Sequence, residues 1–323
     1  MPRQRSATRP IGVHAPAGGG LATASLRYAA QVGAEVIQVF VTNPRAWAAS
    51  PGTAAETAAL RDHVEASGLP VFIHAPYLIN LGSPDEVLRA RSASLLWHCL
   101  QRGADVAARG VVVHAGSAIT ADRDAGLARM REALLPLLDK LGADWPGLLI
   151  EPMAGQGSML CARIEEIEPY LAALDGHPGA LLCLDTCHLF AAGHDLTADD
   201  GVAAALGELD RVAPGRLRLI HANDAQDGCG SRADRHRNIG RGTMGTRPFW
   251  DLLHHPATDG VPFVVETPGA AQGQAADIAT LKRLRAGSRR PAGRNRRPAR
   301  PSRDGRSRCP EHPSPATRAS ATC

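Results

Sequence analysis

Eight short apolar runs recur along this chain, each followed by a longer stretch of helical periodicity. That alternation limits the possible folds more than any other feature. The runs are IGVH (11–14), EVIQVFV (35–41), PVFIH (70–74), GVVVH (110–114), GLLIE (147–151), ALLCLD (180–185), RLRLIH (216–221) and PFVVE (262–266). Amphipathic stretches occupy 20–32, 53–67, 84–108, 122–141, 163–175, 199–212 and 246–255, and an eighth, 274–285, follows the last run. Near-continuous apolar strands separated by helices indicate a parallel sheet covered on both faces. Eight such units in about 275 residues match a TIM (β/α)8 barrel in size and count. The barrel domain is expected over residues 11–286. An open doubly wound sheet is the runner-up, but no dinucleotide fingerprint accompanies it. The glycines of AGGGL (17–21) fit an ordinary strand-to-helix turn.

The flanks differ from this core. Residues 1–10 are polar and basic, with Arg3, Arg5 and Arg9 and no apolar stretch after them, so no secretory signal is read. From Gly287 onward the chain is rich in Arg, Pro and Ser, lacks apolar periodicity and reads as a disordered tail. Such a tail is either a solvated passenger or a basic arm with non-specific affinity for nucleic acid. It carries ten Arg against Asp304 and Glu311, so the net charge of +4 conceals a barrel region of about −7. Seven scattered cysteines, an odd number, argue against a disulfide framework. No apolar run approaches the roughly 18 residues of a membrane span. A cytoplasmic protein with no membrane partner is expected.

Leaving His14 aside, potential metal ligands close six of the eight runs: His74, His114, Glu151, Asp185, His221 and Glu266. A parallel barrel puts all these strand ends on one rim, where active sites of this fold lie. His188 follows three residues after Asp185, and Asp234 and His236 lie in the loop after the seventh run. Taken singly, each of these is more often a cap or a hydrogen-bonded core residue. Jointly, that explanation leaves several buried charges without partners, and buried charges are paired or bound to metal. Mixed His and carboxylate ligands suit Zn2+, or Mn2+ where oxygen dominates. Nine ligands are too many for one tetrahedral ion and suffice for two or three. Three divalent ions would reverse the sign of an acidic rim and admit a phosphodiester. Cys183 and Cys187 flank Asp185 near His188; a thiolate ligand is the alternative, and plain burial is the expectation. His63, His98, His254 and His255 fall on helices and are read as surface or core residues. His14, closing the first run, is a candidate partner of a ligand.

IGVHAPAGGGL, FVTNPRAW, HAPYLINLGSP, VVVHAGS, IEPMAGQGS, CLDTCHLFAAGHD, IHANDAQDGCGSRADRHRNIG and VVETP occur in this order. Over about residues 10–286 the chain strongly resembles the endonuclease IV family. The most specific segments are HAPYLINLG, DTCHLFAAG and DRHRNIG. The resemblance implies a trinuclear zinc site. His74, His114 and Glu151 would hold one ion. Glu151 would bridge to a second, held also by Asp185, His221 and Glu266. His188, Asp234 and His236 would hold the third. It further implies that Arg45, Tyr77 and Leu78 enter double-stranded DNA at the lesion, because an enzyme acting on a sugar inside a duplex flips it out. Three departures stand out. Pro152–Met153 replaces a usual Asn-Thr, Arg241 replaces the Glu of a Gly-Glu-Gly turn, and Ala15–Pro16 follows His14. None removes a ligand.

The implied activity is DNA repair: hydrolysis of the phosphodiester 5′ to an abasic site, leaving a 3′-hydroxyl and a 5′-deoxyribose phosphate. Glu151, Asp185 and Glu266 would be the catalytic carboxylates, with metal-activated water as nucleophile. The expected partner is duplex DNA with abasic or 3′-blocked lesions, met by a monomer. The rival reading is a sugar isomerase or epimerase. Such barrels share the Glu151/Asp185/His221/Glu266 arrangement, but do not require His188, Asp234 and His236 as a third site.

Overall fold

A computed structural model of the chain describes residues 9–119 and 122–291. Eight parallel strands close into a barrel. They are β1 (Ile11–His14), β2 (Ile37–Val39), β3 (Val71–His74), β4 (Gly110–His114), β5 (Gly147–Glu151), β6 (Ala180–Asp185), β7 (Leu217–His221) and β10 (Phe263–Val265). β10 pairs with both β7 and β1 and completes the ring. Between β7 and β10 the chain inserts an antiparallel pair, β8 (Asp224–Ala225) and β9 (His236–Arg237).

The helices that follow the strands are α1 (Thr23–Val32), α2 (Ala54–Ser67), α3 (Glu86–Asp105), α4 (Arg123–Leu138), α5 (Ile167–Ala173), α6 (Thr186–Ala191), α7 (Gly201–Val212), α8 (Arg247–His254) and α9 (Ala270–Ala286). Asp85 and Asp122 cap α3 and α4 by accepting a backbone N–H three residues on, and Thr53 does the same for α2. Four runs read from sequence coincide with strands, and the others are trimmed at their ends. The trimming leaves Glu266 one residue beyond β10. The stretch 163–175 divides into a turn of 3-10 helix (Ile164–Glu166) and α5.

The strands are apolar throughout because both faces are buried, and the two faces pack differently. Val36, Phe72, Val112, Leu149, Cys183, Leu219 and Val264 form a separate cluster that fills the barrel interior. Residues of opposite parity, such as Ile37, Ile73, Val113, Ile150, Leu184, Ile220 and Val265, join the larger core beneath the helices. Side chains along a strand alternate with period two. The next inward-facing position after each interior residue is therefore Gln38, His74, His114, Glu151, Asp185, His221 or Glu266. Strand register supports this levelling: His114 pairs with Glu151 and Asp185 with His221. Six candidate ligands and one glutamine thus form a polar layer directly above an apolar plug.

Among the described residues, no helix is long and apolar enough to cross a membrane. The basic segment 1–8 and the tail beyond 291 lie outside the described residues. Arg9 is buried, its Nε donating to Thr258 Oγ1 at 3.0 Å and its Nη2 to the His255 carbonyl at 2.9 Å. Gly287 and Arg290, within the segment assigned to the tail by composition, both touch the barrel. Trp250 Nε1 donates to the Gly287 carbonyl at 3.0 Å, and Arg290 pairs with Asp251 at 2.5 Å.

Candidate metal centre

Glu151 lies at the middle of the polar layer and is almost completely buried, at 1% exposure. Its Oε2 lies 3.3 Å from His74 Nε2 and 3.6 Å from His114 Nε2. Its Oε1 lies 3.1 Å from His221 Nδ1 and 3.3 Å from His188 Nδ1. The two oxygens thus face different sets of imidazoles. Glu266 Oε2 is 3.4 Å from His221 Nδ1. On the other side, His236 Nε2 lies 3.4 Å from Asp185 Oδ2 and 3.1 Å from Asp234 Oδ1, and His188 Nε2 lies 3.3 Å from Asp234 Oδ2. The structure therefore brings all nine residues expected from sequence into one connected cluster. Within it, the triplets His74–Glu151–His221, Asp185–His221–Glu266 and Asp185–His188–His236 have donor atoms close enough to share an ion.

A short helix delivers one of these residues. Asp185 ends β6 and is also the N-cap of α6, its Oδ1 accepting from the N–H groups of Cys187 (2.6 Å) and His188 (3.1 Å). One Asp185 oxygen is thereby committed to the backbone, and the other faces His236 and the Asn223 amide, 2.7 Å away. The helix turns His188 back over the barrel mouth. Cys183 and Cys187 are both buried, and burial pushes the Cys183 thiol up to about 12. Cys183 lies within the apolar plug, whereas Cys187 stands close enough to Asp234 and His236 to share an ion with them.

The donor set suits a divalent cation. Glu151 Oε2, His188 Nε2 and His236 Nε2 are buried and face groups of the cluster at 3.1 to 3.6 Å without a well-aligned hydrogen bond, an arrangement that a cation between them would satisfy. Burial alone would lower His188 and His236, but Asp185 and Asp234 outweigh it and push them up to about 10 and about 9. Burial likewise opposes ionisation of Glu151, Glu266 and Asp234. His221 outweighs it for the two glutamates, and His188 and His236 for Asp234, so all three are held below the usual carboxylate range. The carboxylates are thus kept anionic and draw positive charge, proton or metal, onto the imidazoles. His114 moves the other way, down to about 4, because its burial outweighs Glu151.

Partners outside the cluster fix ring orientations. His74 Nδ1 donates to the Ala75 carbonyl at 2.7 Å and His188 Nδ1 to the Pro152 carbonyl at 3.1 Å. Pro152 lacks an N–H but keeps the carbonyl that His188 uses, so this departure from the family pattern leaves the contact available. His14 contacts Glu266 Oε1 through Nδ1 at 2.8 Å, the partner role expected of it.

Two buried contributors were not singled out by sequence. Gln38 bridges Glu266 and His221. Asp224 accepts backbone N–H bonds from Ala225 (2.8 Å), Gly240 (3.0 Å), Gly242 (2.9 Å) and Met244 (3.0 Å), and so shapes the turn that carries Arg241. Their signal was a polar residue inside an apolar run and an Asp followed by a glycine-rich turn.

Of the expected DNA-facing residues, Tyr77 lies against the cluster. Tyr77 is 55% exposed, and its ring lies 5.6 Å from that of His74 and 5.7 Å from that of His114. Leu78 is partly buried, and Arg45 is exposed on the loop after β2.

Residues 26–284 match the model of the family described as xylose isomerase-like TIM barrel. A Streptomyces coelicolor protein named probable endonuclease 4 is 52% identical over 281 residues, covering 86% of this chain and 96% of the relative. A Streptomyces avermitilis protein of the same name is 50% identical, covering 86% and 91%. The crystal structure of endonuclease IV from Thermus thermophilus superposes with a TM-score of 0.76 at 33% identity, covering 85% of this chain and 98% of that one. The rim cluster thus sits in a barrel whose sequence and shape agree with these relatives along nearly their whole length, and the chain belongs to the endonuclease IV family of xylose isomerase-like TIM barrels.

Proposed function

We propose that this chain is a zinc-dependent AP endonuclease that hydrolyses the phosphodiester 5′ to abasic sites in double-stranded DNA. It leaves a 3′-hydroxyl and a 5′-deoxyribose phosphate, and its substrates extend to 3′-blocked ends. It acts as a cytoplasmic monomer. The observation that carries this reading is the third cluster, His188, Asp234 and His236, joined to Glu151 and Asp185 within 3.1 to 3.4 Å. A sugar isomerase or epimerase does not require these three residues beyond the ligands of its one or two ions.

His74, His114 and Glu151 would hold one ion. Glu151, Asp185, His221 and Glu266 would hold a second, and His188, Asp234 and His236 a third. A mixed imidazole and carboxylate set suits zinc, with Mn2+ accepted where oxygen donors dominate. Divalent ions held by these residues would supply positive charge for the phosphate oxygens and the departing alkoxide, and would lower the pKa of a water so that it could serve as nucleophile. Glu151 keeps two parts of the donor set in register, because each of its oxygens faces a different pair of imidazoles. Tyr77, whose ring lies against those of His74 and His114, and its neighbour Leu78 would occupy the space left in the stack when the abasic sugar turns into the barrel mouth. Arg45 would follow them into the duplex.

Metal counting tests the reading against its rival. The purified protein should carry about three zinc equivalents, as expected for three donor sets of this chemistry. One or two equivalents, together with interconversion of ketose sugars, would favour the isomerase reading.

A further inference from the structure

Gln38 is fully buried on β2, at the level of the candidate ligands. Its amide joins two of them. Nε2 donates to Glu266 Oε1 at 2.7 Å, and Oε1 lies 2.9 Å from His221 Nε2. The two contacts determine each other. A reversed amide would set its oxygen against the Glu266 carboxylate, so the NH2 group must face Glu266. Oε1 then has to accept, which places a proton on His221 Nε2. A neutral imidazole protonated at Nε2 has its lone pair on Nδ1. Nδ1 is the nitrogen that faces Glu151 Oε1 at 3.1 Å and Glu266 Oε2 at 3.4 Å.

His14 reaches the same oxygen from beside the Gln38 amide, its Nδ1 lying 3.0 Å from Gln38 Nε2. Its Nδ1 contacts Glu266 Oε1 at 2.8 Å, and its ring packs against Phe40 at 4.4 Å. The rings of His74 and His188 are oriented by the carbonyls of Ala75 and Pro152, which no substitution removes. His221 instead depends on a replaceable side chain.

We infer that Gln38 is a positioning residue that selects the nitrogen His221 offers to a divalent cation and couples that choice to the placement of Glu266. This rests on the metal-site reading above. Partners of metal-bound histidines fix the tautomer and ring orientation, and losing them typically weakens metal binding about 10- to 100-fold.

The test is Gln38→Met, close in volume and free of hydrogen bonds. Zinc affinity and stoichiometry are measured by competition with a chromophoric chelator. Circular dichroism of the metal-free protein reports folding. In zinc-loaded protein labelled with 15N-histidine, the His221 Nε2–H signal reports its hydrogen bond. Wild type should show that signal at a hydrogen-bonded shift. Q38M should keep the native spectrum, lose that shift and bind one zinc equivalent about 10- to 100-fold more weakly. Should Q38M fail to fold, Gln38→Glu carries the test, because it keeps an acceptor for His221 but offers Glu266 no amide donor. Its zinc affinity should fall as well. Unchanged zinc affinity in the folded variant, with wild type binding zinc normally, overturns the role of Gln38 alone. A wild-type protein that binds no zinc overturns the metal reading and this inference with it.

Discussion

Glu151 lies within 3.6 Å of four histidines, and this crowding determines what its replacement does. Glu151→Gln preserves shape but removes the anion that balances these imidazoles, and a neutral amide is a poor bridge between cations. The variant should retain its circular dichroism spectrum and lose nearly all incision activity at saturating zinc. Retention of more than a few per cent would contradict its central place. Tyr77 and Leu78 pose a different question, because neither belongs to the donor cluster. Replacing both with Ala should slow processing of an abasic duplex by roughly 1–3 kcal/mol, or about 5- to 150-fold in kcat/KM. A small, flexible phosphodiester needs no flipping and should be hydrolysed as before. Equal losses on both substrates would reduce the pair to packing. Much of the cluster was legible because every run but the second ended in His, Asp or Glu. Gln38 was not, because it lies inside its run and is uncharged. The period-two alternation that places it beside Glu266 becomes informative only once barrel closure identifies which parity faces inward.

At the scale of elements, Glu35 ties the start of β1 to the end of α9. Its Oε2 accepts from Ile11 N at 3.0 Å and Arg285 Nη1 at 2.7 Å, while Lys282 Nζ stands 3.0 Å from Oε1. Burial alone would raise its pKa, but Arg285, the Ile11 amide and Lys282 outweigh that and hold it at about 2, against 4.5 for an ordinary glutamate. A depressed folded-state pKa stabilises above the unfolded value and ceases to do so as pH falls through the folded one. Glu35→Gln should therefore lower stability at neutral pH, and the gap should close as pH falls from about 4.5 to about 2. The carboxylate is about a third exposed, so solvent screening keeps the gap to roughly 1 kcal/mol or less. Urea melts of both proteins across this range provide the check, and a gap independent of pH would contradict the assignment. Gly242 belongs to the rim turn held by Asp224. A Cβ there would lie 2.3 Å from the Ala225 carbonyl oxygen and 2.4 Å from Asp224 Oδ1. Gly242→Ala should cost about 1–3 kcal/mol by overpacking, seen as a lowered Tm. An unchanged Tm would show that the turn yields. Long periodic helices and apolar strands were readable from the sequence. α6 was not, since six residues starting directly from a strand end are too short to show a helical period. The two-residue strands β8 and β9 escaped for the same reason.

For the whole molecule, charge distribution is the open physical question: a barrel region of about −7 and a C-terminal segment rich in arginine. Because Gly287 and Arg290 contact the barrel, a clean truncation removes residues 292–323 and their eight arginines. The truncated protein should still cut DNA, bind it more weakly than the full chain at low salt, and lose affinity less steeply as salt rises. Each phosphate contact contributes a slope of about −0.9 in log affinity against log salt. Identical slopes with and without the segment would make it a passenger. The central claim, that the rim cluster makes this chain a metal-dependent endonuclease at abasic sites, is tested most directly by incision. A duplex carrying a single abasic analogue is incubated with the purified protein, with and without chelator, and the product ends are identified. The account predicts one cut 5′ to the lesion, with a 3′-hydroxyl and a 5′-deoxyribose phosphate, lost on chelation and restored by zinc. An intact duplex at saturating zinc, or cutting that chelator leaves unaffected, would contradict it.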